Sequence, residues 1–141
     1  MIEDFVATLL RGFTLFRGET GQLPLVVLAW MWATRVVFLA SIVFLPRAGA
    51  VATLATMLAT AVLRFYVKGL YPDLPAPFIG ALTHIVLWIP LVVFLLYSMR
   101  GRRAPGISSL ERAYPVWLAV TIAMMAVSLV FDVREVVTAL V

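Results

Sequence analysis

The chain has 141 residues, of which 64% are hydrophobic and 13% charged, and it contains no cysteine. Soluble domains average about 45–50% apolar and about 25% charged residues, and a soluble chain of this length has too little interior for so much apolar surface. The composition therefore predicts an integral membrane protein, and it excludes disulfides and thiolate chemistry. The net charge of +4 comes mostly from basic residues at helix ends and in short loops, which indicates lipid headgroups rather than nucleic acid as partners.

The N-terminal segment, residues 3–17, is too short and too charged to cross a bilayer. It begins with acidic residues and ends with Arg17, which is the charge order that the helix dipole favours. Its apolar side chains recur at helical spacing, at Phe5, Leu9, Phe13 and Phe16. This pattern predicts an amphipathic helix lying in the membrane interface. The alternative is that the apolar stripe packs against the helix bundle or a partner.

Four apolar stretches follow, and each is long enough to cross a hydrocarbon core of about 30 Å. They cover residues 23–45, 48–70, 78–99 and 116–137. The Pro46-Arg47 turn between the first two is so short that it forces antiparallel neighbours. The predicted fold is all-α: a single membrane domain in which four helices form an up-down bundle preceded by the interfacial helix.

The start of the last span carries two conflicting signals. Ser108 and Glu111 have the spacing of a capping box, which predicts that a helix begins there. Pro115 would then lie in the second turn of that helix, where proline removes a backbone hydrogen bond. We therefore expect a break at Pro115, before the fourth span.

Small and basic residues bear on assembly and topology. Alanines recur on one side of the second span, and such a stripe lets two helices approach closely in lipid: the helix-packing residues are Ala48, Ala52, Ala55 and Ala59. A basic cluster, predicted to contact headgroups, contains Arg100, Arg102 and Arg103. This cluster favours a cytoplasmic loop with both termini outside, and the arginine-rich composition suggests a bacterial inner membrane.

Ionisable residues inside the spans are the candidate functional residues, because each costs about 2.5–3.5 kcal/mol on insertion scales. At 1.5 Å per residue, Arg64, His84 and Asp132 lie in one layer near the terminal side of the membrane, with Glu135 one turn further out. In a structural interpretation Arg64 pairs with Asp132, His84 bonds one of them, and the cluster sets the helix register. In a functional interpretation the layer lines a pocket that binds an ion or an anionic headgroup, or relays a proton through His84.

Arg35 is the most costly of these residues, since it lies near the middle of the first span and no acidic residue of the chain shares its depth. It has three possible roles. It pairs with Asp132 or with carbonyls freed by Pro90, it lines a pocket or pore, or it contacts a partner subunit.

These observations lead to three functional hypotheses. The sequence contains no P-loop, Gly-x-Ser-x-Gly elbow or His-Glu-x-x-His motif, and we expect neither a metal nor a cofactor. The first hypothesis is a non-catalytic inner-membrane protein that assembles with itself or joins a larger membrane complex. The second is a small ion, proton or anion transporter or channel. The third is a lipid-modifying enzyme that uses His84 and Asp132 as an acid–base pair.

Overall fold

The structure, a computed structural model, describes residues 1–100 and 108–141. These residues form five α-helices and one short 3-10 helix, with no strand in the described ranges, so the all-α prediction is confirmed. The α-helices are α1 (Ile2–Thr20), α2 (Leu25–Leu39), α3 (Ala48–Leu70), α4 (Ala76–Arg100) and α5 (Ser109–Leu140), and the 3-10 helix, Ala40–Phe44, continues α2.

Within the described residues, four helical segments are long and apolar enough to cross a membrane, as expected of a multi-pass membrane protein. They are Leu25–Phe44, Ala48–Leu70, Ala76–Arg100 and Ser109–Leu140, with mean hydropathies between 1.7 and 2.4. The boundaries follow from the prolines: Pro46 has no N–H to extend the 3-10 helix, and Pro72 and Pro75 lie between α3 and α4.

The expected break at Pro115 is wrong, because α5 runs without interruption through this residue. The capping box is present, with the Ser108 hydroxyl accepting from the Glu111 N–H at 3.1 Å and Glu111 accepting from the Ser108 N–H at 3.2 Å. The rings of Tyr114 and Trp117 stack on either side of Pro115 at 5.6 Å. The cap fixes the first turn and these buried rings fix the second, so a single missing hydrogen bond does not end the helix.

The core of the protein lies between α4, α5 and the end of α2. It is built largely from aromatic and leucine side chains, among them Phe38, Trp88, Leu91, Leu95, Tyr114, Trp117 and Leu118. Trp117 also donates its indole N–H to the backbone carbonyl of Val37 at 2.8 Å, which ties α5 to α2. The region around Val37 and Trp88 is therefore held rigidly beside the candidate site described below.

Helix α1 packs against the C-terminal part of α3 at a close approach of two glycines. A Cβ atom at Gly12 would lie 1.7 Å from the carbonyl oxygen of Phe65, and one at Gly69 would lie 2.1 Å from the carbonyl oxygen of Thr8. The two backbones are thus in direct contact, and any side chain at either position would push them apart. The Phe16 ring fills the space beside this contact, with its edge against Phe65 at 5.7 Å.

A buried lysine joins α1, α3 and the start of α4. Lys68, on α3, is only 1% exposed and forms an ion pair with Glu19 of α1. Its ammonium group also donates to the carbonyls of Pro72 at 2.7 Å and Leu74 at 2.6 Å. Glu19 in turn accepts from the N–H of Ala76, the first residue of α4, at 2.7 Å. Because Lys68 hydrogen-bonds to it, the pKa of the Glu19 carboxyl is lowered.

Candidate functional site

A cavity of about 80 Å³ lies between α2, α3, α4 and α5. Its lining combines two arginines, one histidine, two tryptophans and three hydroxyl side chains with apolar residues. The polar and aromatic lining residues are Trp30, Thr34, Arg35, Thr60, Arg64, His84, Trp88 and Ser128. Since one water occupies about 30 Å³ of liquid volume, the space suits two or three waters or one small ion.

His84 and Asp132 form a direct pair across α4 and α5. The His84 Nδ1 atom lies 3.0 Å from the Asp132 Oδ2 atom, and the two side chains are 19% and 17% exposed. The imidazole ring stacks on the indole of Trp88, with centroids 3.9 Å apart and planes 22° from parallel. The carboxylate on one side and the indole face on the other fix the orientation of the imidazole at the cavity wall.

Arg64 reaches the same cavity from α3. Its Nε–H donates to the carbonyl of Thr60 at 3.3 Å, and its guanidinium lies over the Phe16 ring at 5.5 Å. The Thr60 hydroxyl accepts from the Trp88 indole N–H at 3.3 Å. This hydrogen bond connects Thr60, which binds Arg64, to Trp88, which stacks on His84. Asp132 is near enough to act on the charge of Arg64, but within the described ranges no carboxylate lies within 4.0 Å of it.

Arg35 lines the cavity from α2, and its charge acts on that of Arg64. Its guanidinium lies over the Trp32 ring at 5.0 Å, and the residue is otherwise exposed at the side of the helix. No hydrogen bond or ion pair joins Arg35 to Asp132 or to the carbonyls near Pro90 in the part of the chain that is described. Both arginines therefore retain N–H donors that no described side chain occupies.

The remaining sequence-predicted residues that the structure describes do not line the cavity. Glu135 is exposed on α5, one turn beyond Asp132, and Arg100 is exposed at the end of α4. Arg102 and Arg103 lie outside the described residues. In the alanine stripe of α3, Ala48, Ala55 and Ala59 are exposed, whereas Ala52 is half-buried.

Five of the polar and aromatic cavity residues and the buried lysine were not among the predicted site residues; the five are Trp30, Thr34, Thr60, Trp88 and Ser128. Trp30 donates its indole N–H to the Ser128 hydroxyl at 2.9 Å and closes the cavity between α2 and α5. The one available signal was that Ser128 shares a helix face with Asp132, at a spacing of four residues. Lys68 gave no signal beyond its position at a helix end, where lysine is typical of the membrane interface.

Two kinds of chemical group are not found at the site among the described residues: a cluster of metal ligands and a hydroxyl nucleophile paired with His84. Among the described residues no three histidine, aspartate or glutamate side chains come together as a metal site would require. The only hydrogen-bond partner of His84 on the described part of the chain is Asp132, so no hydroxyl nucleophile is positioned against the imidazole.

Comparison with protein families, curated proteins and solved structures found no match to this chain.

Proposed function

We propose that this protein binds a small anion inside the membrane, in the cavity between Arg35 and Arg64, and that it acts as a small anion transporter or channel. The observation that carries this proposal is that two arginine residues line one cavity, and among the described residues no carboxylate lies within ion-pair distance of either. A protein that keeps two like charges in a low-dielectric region needs a counter-charge there.

The chemistry of the lining supports an anion as that counter-charge. A guanidinium offers five N–H donors in a planar fork that matches a carboxylate or another small oxyanion. Among the described residues, the one hydrogen bond of these two arginines is that of the Arg64 Nε–H to Thr60, so no described group occupies their outer N–H groups. Ser128 accepts from Trp30, which leaves its own hydroxyl proton available as a further donor.

The charge and volume of the site favour a small monovalent anion. The negative charge of Asp132, which is paired with His84, offsets one of the two arginine charges. The cavity therefore has a formal excess of one positive charge. A space of about 80 Å³ accepts a halide or a one- to two-carbon carboxylate. A lipid phosphate is also negatively charged. Its headgroup would have to reach the cavity past the exposed side of Arg35.

The proposed setting is a bacterial inner membrane in which the four spans form an up-down bundle. In this arrangement α1 lies at the interface, both termini face outward and the loop after Arg100 faces the cytoplasm. The Arg35–Arg64 cavity then extends from about the middle of the bilayer, at Arg35, toward the layer near the terminal side that contains Arg64 and His84.

A binding titration tests the proposal. The purified full-length protein in neutral detergent is titrated with sodium chloride and with sodium formate at constant ionic strength, and tryptophan fluorescence is followed because Trp30 and Trp88 line the cavity. We expect a saturable change that is weakened about ten- to hundredfold in Arg64→Gln, as for loss of a charged hydrogen bond. The matched control is Arg11→Gln, since Arg11 is exposed on α1.

Two results would overturn the anion proposal. One is the absence of a saturable response to either salt, and the other is an Arg64→Gln variant that binds as tightly as Arg11→Gln. Adding an anionic phospholipid to the micelles separates the two sources of anion. A free-anion site still binds formate in its presence, whereas a headgroup site is then blocked by the lipid.

A second candidate function, assembly of several copies or with another membrane protein, is favoured by the exposed alanines of α3. Ala48, Ala55 and Ala59 remain uncovered within one protomer, and small side chains allow a second helix to approach closely. The mass of the detergent-solubilised protein tests this function. An assembly through this stripe is disrupted by Ala55→Leu and not by Ala126→Leu, which changes an equally exposed alanine on α5. A wild-type monomer would rule it out.

A further inference from the structure

We propose that the cavity takes up a proton on His84 together with the anion, so that the two bind as a pair. This inference rests on the proposed anion site and adds the second species that the site handles. The step needs no other reactant: a hydronium ion of the solvent transfers its proton to the imidazole and leaves water, and the bound anion supplies the compensating negative charge.

The contacts of His84 leave one ring nitrogen to take this proton. His84 Nδ1 lies 3.0 Å from Asp132 Oδ2. When Asp132 is ionised its oxygen can only accept, so Nδ1 carries the proton of a neutral ring and Nε2 carries none. No described residue hydrogen-bonds to Nε2. Protonation at Nε2 therefore breaks no existing contact, and it turns this face of the ring from an acceptor into a donor.

The same neighbours stabilise the protonated ring. The Asp132 carboxylate opposes the charge of an imidazolium across a short hydrogen bond. The Trp88 indole, stacked at 3.9 Å, presents its negative face to the ring, which is the geometry of a cation–π contact. The Trp88 N–H is held by Thr60, so this indole is fixed in place whether or not the imidazole is charged.

Charged groups of both signs surround His84. Asp132 of α5 hydrogen-bonds to it, Arg64 of α3 and Arg35 of α2 line the same cavity, and α1 contributes the uncharged ring of Phe16 beside Arg64. These side chains carry a formal excess of one positive charge before His84 gains a proton, and an anion bound in the cavity removes this excess.

Proton and anion therefore favour each other's binding, and the coupling is reciprocal. The anion binds more tightly when His84 is charged, and His84 takes up a proton when the anion arrives. A site with this coupling carries a weak acid as its conjugate base plus a proton.

The test measures formate binding and proton uptake in the same preparation. Formate is titrated into the full-length protein in neutral detergent at about pH 5.5 and at about pH 8, on either side of the usual histidine range. We expect binding about tenfold tighter at the lower pH, as for the addition of one nearby charge. In weakly buffered solution near neutral pH, a pH-sensitive dye should report net proton uptake on addition of formate.

Variants separate this inference from the anion site itself. His84→Gln keeps the two arginines and is expected to bind formate with one affinity at both pH values and with no proton uptake. Glu135→Gln, which changes an exposed carboxylate one turn from Asp132, is the matched control and should behave as the wild type.

The possible failures are distinguishable. If no formate binds at either pH, the proposed function is wrong and this inference fails with it. If wild type binds formate equally at both pH values and takes up no proton, the anion site stands and the His84–Asp132 pair only sets helix register. The wild-type measurements decide this even if His84→Gln does not fold. Unchanged pH dependence in a folded His84→Gln would also overturn the inference.

Discussion

Replacing Gly12 by alanine should detach α1 from α3. A Cβ atom there would lie 1.7 Å from the Phe65 carbonyl oxygen and 2.7 Å from the backbone nitrogen of Gly69. Both atoms belong to the backbone, so neither can rotate away, and the helices must separate by more than 1 Å or so to reach an ordinary contact of about 3.4 Å. Overpacking of this kind costs about 1–3 kcal/mol.

The matched control is Gly18→Ala in the same helix. A Cβ atom at Gly18 meets nothing within 4 Å, so this substitution should give the usual helix gain of about 0.5–1 kcal/mol. The two variants are thus expected to change the stability of α1 with opposite signs. The assay is reversible unfolding in mixed micelles, together with hydrogen exchange of the α1 amides, which reports undocking of α1 alone. If both variants stabilise the protein equally, the close contact between α1 and α3 is not formed.

Two further predictions concern the helix ends. Because the hydrogen bond from Lys68 lowers the pKa of Glu19 from its ordinary value of 4.5, the stability that this pair contributes is present above pH 4.5 and is lost as the pH falls through the lowered pKa. The unfolding midpoint of the wild type should therefore decrease as the pH is lowered beneath 4.5, and that of Glu19→Gln should change less. Identical dependence of the midpoint on pH in the two proteins would refute the pairing. Ser108→Ala should lower the free energy of unfolding by about 1 kcal/mol through loss of the cap on Glu111, whereas Ser109→Ala, beside it, should change it little.

The helical segments were predictable because the signals that define them are local. The predicted second span and α3 share the same bounds, residues 48–70, since a turn at Pro46 precedes it and a proline loop follows it. The capping box at Ser108 was also readable from spacing alone. The break at Pro115 was not a safe inference, because whether a proline ends a helix depends on the tertiary contacts of its neighbours, here the buried rings of Tyr114 and Trp117.

The contact face of α1 was predictable only in part. Hydrophobic periodicity identified the stripe of Phe5, Leu9, Phe13 and Phe16, and three of these rings contact rings of α3 at 5.1 to 5.7 Å, as expected if the stripe packs against the bundle. The closest backbone contact, however, runs through Gly12, which carries no hydrophobic signal. Close packing through glycine depends on the shape of the partner helix, and the sequence of α1 alone does not predict that shape.

The candidate site was partly predictable from depth along the spans. Counting residues brought Arg64, His84 and Asp132 to one layer, and the structure joins His84 to Asp132 and places Arg64 at the same cavity as His84. Depth alone says nothing about rotation around a helix axis, so the hydrogen bond of Arg64 to Thr60 rather than to a carboxylate could not be foreseen. The same applies to Arg35, whose approach to Arg64 depends on how α2 is turned against α3.

The most direct test of the anion site is a crystal structure of the protein grown in sodium bromide, with anomalous data that locate the halide. We predict a bromide peak in the cavity between the guanidiniums of Arg35 and Arg64, at about 3–4 Å from their N–H groups, and its disappearance in Arg64→Gln. A cavity without a halide, with a carboxylate of a neighbouring subunit against Arg35, would contradict the anion site and favour assembly instead.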